Sequence, residues 1–183
     1  MKRKISLPLT KEIIKTLKVG EEVLLSGIIF TGRDAAHKRM IEALSREEKL
    51  PIDIKDQVIY YVGPCPARPG EVIGSCGPTT SGRMDAYTPM MLDKGLGGMV
   101  GKGQRCKEVI DSMKKNNAVY FTAIGGAGAL LSVKIKKSEV VAYEDLGAEA
   151  IYKLLVEDFP VVVTIDCRGN NLYDTQKEKY KNN

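Results

Sequence analysis

Gly77-Pro78-Thr79-Thr80-Ser81-Gly82-Arg83-Met84-Asp85 is the stretch around which the chain is organised. It joins an extended run, Glu71-Val72-Ile73-Gly74, to a helix-like run from Met84 to Leu92. A Gly-Pro turn signal is followed by three hydroxyls. Ser81 or a neighbour can cap the helix, whose first turn offers unpaired N–H groups. Arg83 then falls near the helix start, where a guanidinium can grip a carboxylate with two parallel hydrogen bonds. Hydroxyls, free amides and a fixed cation describe an anion site. The plainer alternative is an ordinary capped turn.

Upstream, Thr10 to Leu17 reads as a helix capped by Thr10, and Gly20 ends it. Glu22 to Phe30 reads as a buried strand, followed by a Thr-Gly-Arg-Asp loop and a helix from Arg33 to Arg46. Val58 to Val62 is a second apolar strand. The segment from Gly63 to Gly70 carries three prolines and must be a loop. Pro89, near the middle of the Met84–Leu92 run, should kink or shorten that helix. Downstream, Leu96 to Val100 is a Gly-rich strand or turn, Gln104 to Asn116 a helix, and Ala118 to Ile124 a strand. Gly125 to Ala129 reads as a close-packed turn or helix start. A lysine-bearing run spans Val133 to Val141, Ala150 to Val156 is ambiguous, and Val161 to Asp166 is a strand. Alternating strands and helices imply a mixed α/β fold.

The 183 residues suggest one domain, with a short polar tail from about 175. With 43% hydrophobic residues, no Trp and three Phe, aliphatic side chains must fill most of the core. The net charge of +5 is mild and dispersed, unlike the concentrated basic face of a nucleic-acid binder. No run approaches about 18 apolar residues, and the amino-terminal segment does not read as a signal peptide. The four cysteines, Cys65, Cys76, Cys106 and Cys167, form no metal-binding spacing. A reduced, cytoplasmic chain is the expectation. Around Lys102 the phosphate-loop pattern fails, because Leu96 stands where its first glycine belongs and Gly103 where its hydroxyl belongs.

The central stretch resembles the signature of the β subunit, or C-terminal domain, of class I fumarate hydratases and the related L-tartrate dehydratases. Thr31-Gly32-Arg33-Asp34-Ala35-Ala36-His37-Lys38, Gly98-Met99-Val100-Gly101-Lys102-Gly103 and Asp158-Phe159-Pro160 match the same family in the same order. Four ordered motifs over roughly Leu7 to Asp174 are far more specific than one.

The resemblance implies a swivelling β/β/α domain and a hydro-lyase active only with a cluster-bearing α subunit. The reaction would interconvert a 2-hydroxy dicarboxylate and its dehydrated product, (S)-malate and fumarate foremost, with L-tartrate as the alternative. It implies Thr79 as the proton-transfer residue and Arg33, Arg83 and Lys102 as carboxylate ligands. His37, Thr80 and Ser81 are second-tier candidates. The [4Fe–4S] cluster, whose open iron would take the departing hydroxyl, belongs to the partner, and the assembly is expected to be a hetero-oligomer such as α2β2. Threonine is a weak base and needs cationic neighbours or a general-base partner for the proton-transfer role. Asp34 and Asp85 read as structural residues near helix starts, and Cys76 as a buried structural thiol. A rival of another class is a stand-alone anion-binding or regulatory module.

Overall fold

The computed structural model describes residues 2–123 and 128–174. Its strands are β1 (Arg3–Ser6), β2 (Glu22–Thr31), β3 (Val58–Tyr60), β4 (Gly98–Gly101), β5 (Val119–Thr122), β6 (Ile135–Ala142) and β7 (Ile151–Ile165). Its helices are α1 (Lys11–Thr16), α2 (Asp34–Ser45), α3 (Thr88–Asp93), α4 (Lys107–Asn116) and α5 (Gly128–Ser132). Two 3-10 turns add Ser81–Met84 and Glu144–Glu149. The mixed α/β class is as the sequence implied. No described helix is long and apolar enough to cross a membrane.

All strands join one sheet in the order β1-β2-β3-β4-β5-β7-β6, and β2 also pairs with β7. That pairing closes β2, β3, β4, β5 and β7 into a barrel-like ring. Strands β2 to β5 run parallel, and β7 runs antiparallel to both β2 and β5. The ambiguous Ala150–Val156 stretch is strand because both of its edges are occupied: Lys153 pairs with Phe30 on one side and Glu139 on the other. Strand β7 continues through Pro160, whose position opposite Leu24 lengthens the strand expected from Val161. The Asp158-Phe159-Pro160 motif is architectural. Asp158 adopts a positive φ of 49°, its N–H donates to Ser26 Oγ at 3.0 Å, and the register with β2 shifts there. An extra residue on one strand is a bulge, which bends the sheet towards closure.

Neighbouring residues divide between two apolar clusters, as the period of a sheet requires. Val58, Tyr60, Val100 and Phe121 enter one; all five ring strands contribute to it, so it fills the closure. Ile59, Met99 and Tyr120 enter the other, against Ala36 and Met40 of α2, Met91 of α3, and Val109 and Met113 of α4. Burial on both faces accounts for the unbroken apolar strands. Thr10 caps α1 as expected, its hydroxyl accepting from Ile13 N–H at 3.3 Å.

Two local expectations are corrected. The Met84–Leu92 run is not one helix: the 3-10 turn ends at Met84 and α3 starts at Thr88, with Pro89 in its first turn. The missing proline N–H costs nothing there, so Pro89 starts a helix instead of kinking one. Glu71–Gly74 is not extended strand but a bend folded onto the proline loop. Cys65 and Ser75 share a backbone hydrogen bond of 2.9 Å, and Gly74 N–H donates to the Cys65 carbonyl at 3.2 Å. The Gly125–Ala129 reading lies partly outside the described residues, as do Ile124 and the tail from 175; α5 begins at Gly128.

A side chain at Gly74 would place Cβ 2.5 Å from the carbonyl oxygens of both Cys65 and Pro66. Backbone cannot rotate away as a side chain can. Gly74→Ala is expected to cost about 1–3 kcal/mol, seen as a fall in Tm of at least ~2–4 °C. An unchanged melting curve would contradict this packing.

Candidate functional site

The parallel strands β2, β3 and β4 lie side by side, so their carboxyl ends share one rim of the sheet. Ligands of open parallel sheets gather at such rims. Arg33 follows the end of β2 by one intervening residue, Gly32. Lys102 follows β4 directly. The central stretch is drawn to the same rim from a distance: Thr79 N–H donates to the carbonyl of Tyr61, just past β3, at 2.7 Å. It then pairs with the end of β4, as Lys102 N–H donates to the Thr79 carbonyl at 3.3 Å and Ser81 N–H to the Lys102 carbonyl at 2.9 Å.

Gly101 makes this approach feasible, since a Cβ there would fall 1.9 Å from Ser81 Oγ and 3.0 Å from Tyr61 Cδ2. Gly103, at φ +83°, then turns the chain in open space. Lys102 is exposed between them and forms no ion pair among the described residues.

The two arginines meet at Asp34. Arg83 Nε donates to Asp34 Oδ1 at 2.9 Å, while neither terminal nitrogen of Arg83 is hydrogen-bonded among the described residues. Arg33 precedes α2 and is held loosely, with Nη2 3.7 Å from Asp34 Oδ2 and 3.4 Å from Glu149 Oε1. The buried Arg33 Nε and Asp34 Oδ2 have no hydrogen-bond partner among the described residues. Glu149 also accepts from Ala35 N–H at 3.0 Å, satisfying an early amide of α2 from the second 3-10 turn. Asp34 therefore does more than complement a helix dipole.

Thr79 is half-buried, and its hydroxyl has no hydrogen-bond partner among the described residues. Arg83 turns to Asp34 and does not contact that hydroxyl. Thr80 is exposed and caps the 3-10 turn without a side-chain hydrogen bond. Ser81 is fully buried and bonds the Tyr120 hydroxyl at 2.9 Å, which places it behind the surface and not at a helix cap.

His37 is fully buried too. Its Nδ1 donates to the Arg33 carbonyl at 2.8 Å, a tautomer assigned from that contact. Its ring stacks on Tyr87 and meets Tyr61 edge-on, and Nε2 has no hydrogen-bond partner among the described residues. Burial pulls its pKa down to about 4, and nearby Arg105 adds to the fall against the Arg33 hydrogen bond and the Asp34 charge.

Sequence reasoning missed Arg105, whose side chain has 0% exposure. Its Nε donates to Asp85 Oδ1 at 2.6 Å and Nη2 to Thr88 Oγ1 at 2.7 Å. The guanidinium lies 5.4 Å from the ring centre of Tyr61 and 5.1 Å from that of Tyr120. Asp85 Oδ2 accepts from Cys106 N–H at 2.7 Å, at the start of α4. Asp85 is thus structural, as expected, through an ion pair that no spacing rule reveals.

A groove of about 440 Å³ lies elsewhere, between Leu7, Ile28, Phe30, Ile52 and Val141. The residues singled out from the sequence lie instead on the open rim. No group of three or more His, Cys, Asp or Glu side chains could hold a metal ion among the described residues. Cys65 is exposed, Cys76 and Cys167 are buried. Burial pushes the Cys76 thiol up to about 12, which fits an inert structural role.

A model of the fumarase C-terminus matches residues 1–176. The chain belongs to the fumarase C-terminus family. This fumarase C-terminus chain is 43% identical to the aerobic class I fumarate hydratase of Salmonella typhimurium over 168 residues, 88% of this chain and 29% of that protein. It is 43% identical to the aerobic class I enzyme of Escherichia coli K12 over 169 residues, 89% of this chain and 31% of that protein. A putative L(+)-tartrate dehydratase subunit beta of Methanocaldococcus jannaschii is 39% identical over 177 residues, 93% of this chain and 91% of that protein. The chain therefore spans about a third of the fumarate hydratases it matches but nearly all of the archaeal subunit.

Two tests address the buried charges of this fumarase C-terminus chain. Removing the partner of a buried ion costs about 3–5 kcal/mol, whereas replacing both with apolar groups of similar volume is close to neutral. Asp85→Ala is expected to destabilise by that amount in urea titration, and Asp85→Leu with Arg105→Met to recover most of it. A mild Asp85→Ala would show that Arg105 is less desolvated than described.

His37 sets the sign of a pH effect. Above about 6.5 both folded and unfolded imidazoles are neutral. Below it the unfolded chain takes up a proton that the folded chain refuses until about 4. Stability should fall as pH drops through that window, with His37 contributing about 3 kcal/mol. His37→Gln should flatten that part of the profile; an unchanged slope would assign it to other groups.

Proposed function

We propose that this chain is the β subunit of a two-chain hydro-lyase and supplies the carboxylate-binding half of its active site. The reaction is the interconversion of a 2-hydroxy dicarboxylate and its dehydrated product, (S)-malate and fumarate plus water. The observation that supports it best is the convergence of Arg33, Arg83, Lys102 and Thr79 on the shared rim of three parallel strands. The relatives' names, fumarate hydratase and tartrate dehydratase, supply the reaction class.

Arg83 takes one substrate carboxylate on its free fork of terminal nitrogens, a two-pronged grip that lysine cannot reproduce. Arg33 and Lys102 serve the other carboxylate. They stabilise the negative charge that gathers there as a proton leaves C3. Thr79 holds or moves that proton. With its hydroxyl unpartnered among the described residues, a base from the partner subunit would complete it. The class I reading also implies a [4Fe–4S] cluster. The described residues of this chain do not fit it: the cysteines differ in burial and none gathers with other ligands. The cluster belongs to the partner, a cytoplasmic α subunit against which the closed sheet acts as a swivelling domain. Residues 1–183 form one domain on this reading.

A second substrate, L-tartrate, is favoured by one finding: the chain covers nearly the whole of the archaeal tartrate dehydratase subunit. Steady-state kinetics of the assembled enzyme on malate and tartrate distinguish the two.

In that assembled enzyme Arg83→Lys should lower kcat/KM for malate by roughly 10- to 100-fold, in line with loss of a charge-assisted bond of ~1.5–3 kcal/mol. Wild-type kinetics would remove Arg83 from the site. Thr79→Val should abolish exchange of the C3 proton in deuterated water and leave substrate affinity nearly intact. Undiminished exchange would move proton transfer to another residue.

A further inference from the structure

Asp34 has no part in the reaction as described, yet both arginines of the rim converge on it. We propose that Asp34 is a positioning residue that presents the Arg83 fork to a substrate carboxylate. This rests on the carboxylate-binding reading of the rim.

The argument starts with the cost of fixing an exposed arginine. Arg83 has 53% of its side chain exposed, so packing does not hold its long stem. A free arginine loses rotamer entropy when a ligand immobilises it. Asp34 removes much of that freedom beforehand. It accepts from Nε at 2.9 Å, the guanidinium nitrogen attached to the stem. The two terminal nitrogens are left parallel and unpartnered among the described residues, in the arrangement that matches a carboxylate. Pre-organisation of this kind strengthens binding by lowering its ordering cost.

Asp34 is itself well placed for the task. It is the first residue of α2, where its charge favours the helix amino terminus. Its second oxygen, Oδ2, is buried without a hydrogen bond, 3.7 Å from Arg33 Nη2. The buried Arg33 Nε is unpaired as well. Unmade hydrogen bonds at a charged pair are costly where the groups are desolvated. Here they leave Arg33 able to turn towards an incoming anion while Arg83 stays anchored.

Charge alone predicts the opposite effect. A carboxylate beside an anion site repels the anion, so its removal should tighten binding. Positioning predicts weaker binding. The sign of one variant therefore separates the two.

The test is the dissociation constant of malate and its kcat and KM in the assembled, cluster-bearing enzyme. Asp34→Ala should weaken malate binding about 10-fold and raise KM with a smaller effect on kcat. Asp34→Asn keeps an acceptor for Arg83 Nε and sheds the charge, so it should restore affinity to the wild-type value or better. In an Arg83→Ala background the Asp34→Ala change should have little further effect. Wild-type or tighter binding by Asp34→Ala would overturn the proposal, as would an Asp34→Asn variant as weak as alanine at unchanged Tm. Wild-type enzyme that neither binds nor turns over a dicarboxylate would instead overturn the proposed function.

Discussion

A guanidinium removed from water organises the rim. Arg105 must find partners for its charge inside the protein, because several kcal/mol of hydration are lost on burial. It finds them in Asp85, Thr88, the Met99 sulfur and the faces of Tyr61 and Tyr120. Those residues come from the central stretch, the start of α3, β4, the end of β3 and β5. One buried cation thereby ties the Thr79–Asp85 segment to the loop that carries Lys102. Arg83 lies two residues before Asp85, and Lys102 three before Arg105. The exposed cations of the rim are held in place by a buried one.

The closed sheet provides the second constraint. With β2 to β5 parallel, successive loops return to one rim, and the long antiparallel β7 seals the ring between β2 and β5. The rim receives Arg33 and Lys102 from the strand ends themselves and Arg83 from the segment laid across them. Asp34 and Glu149 partly neutralise this gathering of positive charge. Like charges gathered on one rim repel one another. Two loose carboxylate contacts on Arg33 moderate that repulsion while leaving hydrogen-bonding capacity unused.

Much of this was legible in the residues. The Thr10 cap, the buried strands around Leu25 and Ile59, and the apolar stripe of Val109 and Met113 each carry a local signal that depends on few neighbours. Four motifs in order pointed to the family, and three of them supply the rim. Pro89 goes with a shortened helix and not a kinked one, because its effect depends on where the helix starts, and Asp85 and Thr88 meet Arg105 at that start. Glu71–Gly74 was misread because its path follows the carbonyls of Cys65 and Pro66. Ser81 looked like a cap, yet the absence of a Cβ at Gly101 lets it pack inward on Tyr120. Arg105 stands in a polar stretch like any surface arginine, and only the closed sheet shows that it is internal.

On the proposed reading, Arg33, Arg83 and Lys102 form one carboxylate-binding surface completed by a second subunit. A structure of the assembled enzyme with malate bound tests it most directly. The account predicts one malate carboxylate bonded to both terminal nitrogens of Arg83 at about 2.7–2.9 Å, with Arg33 and Lys102 on the other and the partner subunit covering the rim. Malate bound elsewhere, with these three side chains left facing solvent, would contradict it.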